Sequence, residues 1–342
     1  MEKNTIDVNC KFNLVIKKLN KLNKKILIVL NKKKEVIGSI TDGDIRRFFL
    51  REKKKNIVNL MNKAPLIIKE TEPILITKKI EKKYKYAPLV SASNKFIKLI
   101  ILKSHFDIKS IAIFLLAGGK GLRLRPLTKN LPKPLIKIGN RSLLEKILNS
   151  LFNENFNDIN ISVNYLHNKI IDFLNHNFLK NKFIKIIKEK KFLGTIGSLR
   201  LLNTNKKTIL IVNSDIYTNL NFKNIIQHHF DTGSDITISV KEMLNTIPYG
   251  VIKTSRDKII SFNEKPLEKF LYNTGIYVIN KNIIQLIPKN KKFDAPQLIK
   301  KAIDKKKKIT PFYVHENWID VGSKETLVKL DKSYKEYFKN NK

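Results

Sequence analysis

Apolar residues recur along this chain with two different periods, and the change between them divides it. Over the first hundred residues the pattern is short and repeated. Residues 14–22 space their apolar positions as one face of a helix. Residues 26–30 form an unbroken apolar run that predicts a buried strand, 31–35 a polar turn, and 36–40 a second strand. Thr41-Asp-Gly-Asp44 then opens a helix over 45–50, with acids in the first turn, where helix N–H groups lack partners. The same order returns more weakly: a helix near 76–83, a strand near 87–90, a turn at 91–95 and a strand at 96–102. Two copies of a roughly 50-residue β-α-β-β-α unit predict a pair packed face to face, because one copy alone buries little.

From residue 110 the rhythm lengthens. Strands at 111–116, 158–163, 184–188 and 209–213 alternate with helices at 142–152, 168–179 and 197–202. That alternation predicts an α/β unit with a Rossmann-like, mostly parallel sheet covered on both faces. Antiparallel additions are expected at 235–241, 250–255, 258–262 and 271–279, and residues 106–110 form the joint between the halves. The expected division is 1–108, itself split at about residue 55, and 109–342.

Composition narrows the setting. The chain has 342 residues, 42% of them hydrophobic, enough for more than one core. No apolar run approaches the ~18 residues of a membrane span, and the first residues lack the apolar centre of a secretory signal. A single cysteine, Cys10, excludes an intrachain disulfide and a cysteine-cluster metal site. A cytoplasmic protein without a membrane partner is expected. The net charge of +39 invites a nucleic-acid reading. Only eight of the 68 cations are Arg, however, and Lys is spread over every segment together with abundant Asn and Ile. That is the mark of an AT-rich genome rather than of a groove-reading surface, where Arg clusters and aromatics interleave. No nucleic-acid partner is expected.

The chemistry concentrates in Leu115-Leu-Ala-Gly-Gly-Lys-Gly-Leu-Arg-Leu-Arg-Pro-Leu-Thr-Lys-Asn-Leu-Pro-Lys-Pro-Leu135. Its glycines let backbone N–H groups approach an anion, and its cations neutralise one. A strand that runs into such a loop is where α/β sheets hold phosphate. It is not a P-loop, since no Gly-Lys-[Ser/Thr] follows. It is not the dinucleotide fingerprint either, since Leu124 stands where the third glycine would be. It resembles the signature of sugar-1-phosphate nucleotidyltransferases, L-A-G-G-x-G-T-R-L-x-P-L-T followed by P-K-P, with Leu122 in place of the usual Thr. Further stretches follow the family in order: Glu189-Lys-Lys-Phe-Leu-Gly-Thr-Ile-Gly197, Asn213-Ser-Asp215, Tyr249-Gly250, Glu264-Lys-Pro266, Asn273-Thr-Gly275 and Trp318-Ile-Asp-Val-Gly322.

The resemblance implies a GT-A-like fold and a transfer of a nucleoside monophosphate from an NTP to a sugar 1-phosphate. It implies catalytic roles for Arg123 and Lys133 on the phosphates, and NTP contacts at Leu116, Ala117, Gly118, Gly119, Gly121, Glu189, Gly194 and Thr195. It implies a sugar-phosphate pocket from Gly250, Glu264, Lys265 and Asn273, and Mg²⁺ on Asp215 and Asp320. Two carboxylates plus phosphate oxygens suit Mg²⁺, and an acid between Ile319 and Val321 is costly to bury unless it is paired or metal-bound. His167, His176, His228 and His229 are read as surface or core packing.

The first half carries its own resemblance. Gly38-Ser-Ile-Thr-Asp-Gly-Asp44 matches the G-x-x-[ST]-x-x-D of cystathionine-β-synthase-type (CBS) domains, whose tandem pair is a Bateman module. That implies an adenine or guanine nucleotide at Thr41 and Asp44. Read from the residues alone, Thr41 is equally a helix N-cap, and both readings stay open. In the second copy Lys98, Ile101 and Ser104 stand where Gly, Thr or Ser, and Asp would, so at most one nucleotide site is expected. A CBS pair before this transferase resembles the glucosamine-1-phosphate guanylyltransferases of legionaminic acid biosynthesis, which implies GTP and glucosamine 1-phosphate. Mannose-, heptose- or glucose-1-phosphate with GTP, dTTP, UTP or CTP stay open, as does a nucleotide-sensing protein with a vestigial transferase half. A homo-oligomer is expected.

Overall fold

The computed structural model describes residues 4–22, 26–49, 56–71, 86–101, 106–178, 182–328 and 330. The N-terminal repeat folds as two three-stranded sheets. In the first, β1 (Thr5–Asp7) leads through α1 (Phe12–Lys21) to β2 (Ile26–Leu30), parallel to it, and β3 (Val36–Thr41) returns antiparallel before α2 (Asp42–Phe49). After α3 (Ile57–Leu60), the second sheet repeats the senses: β4 (Ile68–Lys69) is parallel to β5 (Tyr86–Val90), and β6 (Phe96–Ile101) is antiparallel. The predicted helix near 76–83 and Ser104 lie outside the described residues.

Strand alternation decides which side chain goes where. Leu27 and Val29 point into a core with Val15, Leu19 and Ile45 from the helices. Ile26 and Ile28 point the other way and meet Val90, Tyr86 and Phe96 of the second sheet. The two sheets also bond directly, Val36 N–H to the Asn94 carbonyl at 3.0 Å and Asn94 Nδ2 to the Val36 carbonyl at 3.1 Å.

The second unit begins with β7 (Ile111–Ala117) directly after a 3₁₀ turn at Ile108–Ser110. It continues through a short helix α4 (Leu127–Asn130), the ribbon β8 (Lys137–Ile138) and β9 (Arg141–Ser142), α5 (Leu143–Asn153), β10 (Ile159–Val163), α6 (His167–Asn177), β11 (Ile184–Lys188) and β12 (Thr208–Asn213). Then come β13 (Ile216–Thr218), α7 (Phe222–Thr232), β14 (Ile236–Thr246), β15 (Val251–Ser255), β16 (Lys258–Asn263), β17 (Leu267–Asn280), α8 (Ala295–Asp304), β18 (Ile309–Tyr313) and β19 (Trp318–Asp320).

Seven strands form one sheet in the order β11-β10-β7-β12-β17-β14-β18. All its pairings are parallel except the two made by β17, so β17 alone runs against the rest. The predicted addition at 235–241 therefore runs with β7, while 250–255 and 258–262 form a separate ribbon, β15–β16. β7 is buried on both faces: Ile111, Ile113 and Leu115 enter one core, Ala112 and Phe114 the other. Each large side chain so buried contributes about 1.5–3 kcal/mol. The stretch predicted as a helix at 197–202 is a 3₁₀ turn, Gly197–Leu201. Among the described residues no helix is long and apolar enough to cross a membrane.

The two units meet where α2 packs on β18. Arg46, 1% exposed, donates Nε to Asp42 Oδ2 at 2.6 Å and Nη2 to Glu316 Oε1 at 2.7 Å, and its Nη1 bonds the Tyr313 carbonyl. Its guanidinium lies 3.9 Å from the centre of the Phe312 ring, and Phe49 stacks on Tyr313 at 4.5 Å. Burial alone would push the Asp42 and Glu316 carboxyls up; Arg46 between them, together with His315, outweighs it and holds both below the ordinary carboxylate range.

Two groups in the second unit set opposite pH responses. Glu154 caps α7, accepting from Phe222 N–H at 2.9 Å and Lys223 N–H at 2.8 Å, yet burial pushes its carboxyl up to about 7. Between its ordinary 4.5 and 7 the unfolded chain ionises while the fold keeps the proton, so stability falls as pH rises through that window. His228, burial-depressed to about 4, works oppositely: its stabilisation is lost as pH falls from 6.5 to 4. The two offset each other in the native chain. Glu154→Gln is therefore expected to unmask a rise in stability from pH 5 to 7, on the order of 2 kcal/mol relative to the parent, in urea titrations. An unchanged difference between the two pH values would refute the assignment.

Candidate active site

The site lies beyond the C-terminal ends of β7 and β12, where open α/β sheets bind ligands. Ser214 ties those two ends together, its N–H and Oγ both bonding the Leu116 carbonyl, at 3.2 and 2.6 Å. A cavity of about 470 Å³ opens there. Its lining includes Leu116, Ala117, Gly118, Gly119, Gly121, Arg123, Lys133, Glu189, Gly194, Thr195 and Asp215. Every residue assigned from sequence to the NTP thus comes together in one space, from two separated segments, and Arg123, Lys133 and Asp215 join them there.

Local geometry explains the glycines. Gly121 has φ of 61°, and a Cβ there would meet Thr128 Cγ2 at 3.0 Å and Lys133 Cβ at 3.3 Å. Thr128, fully buried, donates Oγ1 to the Gly121 carbonyl at 2.8 Å and so fixes the turn. Gly194, φ 84°, lets the next residue reach α8: Thr195 N–H bonds Asp294 Oδ1 at 2.7 Å, and Thr195 Oγ1 accepts from Ala295 N–H at 2.9 Å. Ile196 points away from the cavity into the core between the sheet and α8. Glu189 is 5% exposed, and both its oxygens are taken, Oε1 by Ser162 Oγ at 2.7 Å and Oε2 by Leu193 N–H at 3.1 Å. Burial pushes its carboxyl up and those two bonds oppose the rise. In this structure it braces the loop from beneath Gly118.

The charged centre is compact. Lys133, 8% exposed, places Nζ 2.6 Å from Asp215 Oδ2 and 3.4 Å from Asp320 Oδ1. An ammonium so deeply buried is tolerable only because it is paired. The acids sit together because β13 and β19 pair antiparallel, Ile216 opposite Asp320, with Val321 N–H on the Asp215 carbonyl at 3.3 Å. Arg123, largely exposed, reaches Asp320 Oδ2 at 3.7 Å. Gly322 makes room for that approach, since a Cβ there would stand 2.8 Å from Asp320 Oδ2 and 3.1 Å from Arg123 Nη2.

This centre fits a hard divalent cation. Two carboxylates, one in the turn before β13 and one at the end of β19, already converge on one cationic atom, Lys133 Nζ, which stands in for the ion. The adjoining cavity leaves room for phosphate oxygens and water, the ligands Mg²⁺ prefers.

The four sugar-side residues lie outside that cavity's lining. Gly250 and Glu264 approach each other where β16 turns into β17, a Cβ on Gly250 standing 2.9 Å from Glu264 Oε2. Lys265 holds φ of 44°, a left-handed conformation that costs an ordinary residue about 1–2 kcal/mol. Asn273 sits beside a bulge in β14 between Ile238 and Val240, and its side chain bonds Tyr277 OH and Gly275 N–H. Bulges of this kind re-aim side chains next to sites. Asn213, Phe192 and Ser198 also line the cavity without having been singled out. For Asn213 the signal was available, at the polar end of the apolar run that leads to Asp215.

Thr41 and Asp44 close on each other: Asp44 Oδ2 accepts from Thr41 N–H at 2.8 Å and Oγ1 at 2.6 Å, and Arg47 pairs with Asp44 Oδ1 at 2.5 Å. That is a helix cap. His229 is buried and bonded to Thr237 and Asn280, and His228 packs on Phe312, both as core groups.

Comparison with known proteins agrees with the geometry. The profile of the family described as "Nucleotidyl transferase" matches residues 112–336. The chain is 33% identical over 220 residues to the mannose-1-phosphate guanyltransferase of Pichia angusta, covering 61% of this chain and 60% of that protein. It therefore spans about three fifths of the length of that relative. It is 26% identical over 226 residues to the D-glycero-alpha-D-manno-heptose 1-phosphate guanylyltransferase of Aneurinibacillus thermoaerophilus, covering 65% of this chain and 98% of that protein. Two crystal structures of HddC from Yersinia pseudotuberculosis, the second complexed with GMP-PN, superpose with TM-scores of 0.51 and 0.50 at 26% and 25% identity. Each covers 66% of this chain and 99% of the other.

Proposed function

The chain belongs to the nucleotidyl transferase family, and from that premise we propose that it transfers GMP from GTP to a sugar 1-phosphate and releases pyrophosphate. The observation that carries this is Lys133 Nζ held between Asp215 and Asp320 beside a glycine-lined cavity. A 1-phosphate oxygen of the sugar attacks the α-phosphorus. The new P–O bond forms as the bond to the β-phosphate bridging oxygen breaks in line, and that electron pair leaves with pyrophosphate. The attacker is already an anion at neutral pH, so no general base is needed. What the protein supplies is position and positive charge. The loop N–H groups around Gly118 to Gly121 hold the triphosphate, and Arg123 meets the departing pyrophosphate. Lys133 moves from the acids to the α-phosphate, and Lys265 steers the acceptor with Glu264, Gly250 and Asn273 around its sugar. Mg²⁺ on Asp215 and Asp320 neutralises the phosphate oxygens when bound.

Guanine is favoured by the names of the relatives and by the GMP-PN complex of HddC. Among acceptors, those names put mannose and heptose 1-phosphates forward, and the N-terminal repeat puts glucosamine 1-phosphate forward. We read that repeat as a CBS pair whose nucleotide would compete for the Thr41–Asp44 cap. The test is product formation from a panel of NTPs and sugar 1-phosphates. GTP is expected to exceed every other NTP in kcat/KM by about 10²-fold or more, as a site that reads base edges by hydrogen bonds should. The reading fails if no pair turns over.

A further inference from the structure

Arg46 belongs to the N-terminal repeat, yet apart from Asp42 its bonding partners lie in the catalytic unit. Both guanidinium nitrogens beyond Nε go to Glu316, at 3.1 and 2.7 Å. Glu316 stands four positions before Asp320, and the chain between them is tied down at every step. The Glu316 carbonyl accepts from Lys241 Nζ at 3.1 Å. The Asn317 carbonyl accepts from Thr218 Oγ1 at 2.9 Å and Asn219 N–H at 3.2 Å, both on the segment that follows Asp215. Trp318 Nε1 donates to the Thr274 carbonyl at 2.9 Å, next to Asn273. The far end of α2 is fastened too, with Lys269 Nζ on the Phe49 carbonyl at 2.9 Å. Asp42, His315 and Glu316 bring metal-ligand atoms within 4.8 Å of one another, but Arg46 takes an oxygen of each acid, so the cluster is an ion pair across the units.

We propose that Arg46 is a positioning residue for Asp320: through Glu316 it fixes where β19 starts, and hence how far the second acid stands from the first. A carboxylate set at the wrong distance still folds but binds its cation poorly, which is how residues behind a metal ligand act. The inference rests on the metal role proposed for Asp320.

Trp318 is the single tryptophan of the chain and lies two residues before Asp320, so its fluorescence reports the cation independently of turnover. Mg²⁺ is titrated into the full chain with GTP present, reading Trp318 fluorescence and, in parallel, kcat and KM. Arg46→Met and Glu316→Gln are expected to raise the half-saturating Mg²⁺ concentration about tenfold in both readouts, the low end for outer partners of a metal site. KM for the sugar 1-phosphate stays within about twofold. Arg46→Lys, which keeps the charge and one bond, recovers part of the loss. A merely structural role would lower the melting temperature and leave the half-saturating Mg²⁺ at the parental value, and that result overturns the inference. Should Arg46→Met not fold, Glu316→Gln and Arg46→Lys carry the comparison. A parent with no fluorescence response overturns the metal role of Asp320 and this inference with it. A parent that responds but makes no nucleotide sugar overturns the proposed reaction alone, and the shift in the variants is still read.

Discussion

Asp215→Asn is expected to lower kcat by about 10³-fold while the protein keeps its fold. The substitution preserves shape and removes one of the two charges that Lys133 contacts and that the proposed cation would share. A single preorganised electrostatic contact is typically worth 10²–10³ in rate, and here one carboxylate supports two cationic partners. The fold should survive because Asp215 is part-exposed and its backbone, pairing with Val321, is untouched. The measurement is single-turnover formation of product with saturating Mg²⁺, beside a thermal melt. Less than a tenfold loss in kcat would remove Asp215 from the chemistry.

Lys133→Met should cost about 10²-fold in kcat, with the opposite effect on the cation. Met keeps the aliphatic stem beside Gly121 and deletes the ammonium. With Nζ gone, Asp215 loses its cation and Asp320 keeps only the exposed Arg123 at 3.7 Å, so the two like charges should draw a divalent ion more strongly. The Trp318 titration is therefore expected to shift to lower Mg²⁺ in Lys133→Met and to higher Mg²⁺ in Asp215→Asn. If both variants shift the same way, Lys133 is not the group that yields its place to the cation.

The glycine loop that lines this cavity was legible because it is local. Three glycines, an arginine and a lysine fall within one loop after one apolar strand, and the loop's own hydrogen bonds, such as Thr128 on Gly121, shape it. Asp215 was legible for a related reason, as a polar end to a buried run. Asp320 was legible only as an acid between Ile319 and Val321: its partner is 105 positions away by number, and only resemblance linked the two before β13 and β19 were seen to pair. Arg46 and Glu316 had no signal at all. One arginine on a short helix and one glutamate in a turn have no periodicity, and only the docking of the two units turns them into a buried pair. The break of β14 at residues 238–240, which aims the Asn273 segment, depends on the register with β17, a property of two strands together.

The pairing of β13 with β19 also governs how the site comes into being. Closing a chain segment of that length costs about 4 kcal/mol in loop entropy alone, so the ribbon forms only when the rest of the sheet has brought its ends close. Until then Asp215 and Lys133 have each other and no second acid. On the reaction proposed above, the charged centre is complete only once β19 has paired, because until then it lacks the acid at 320.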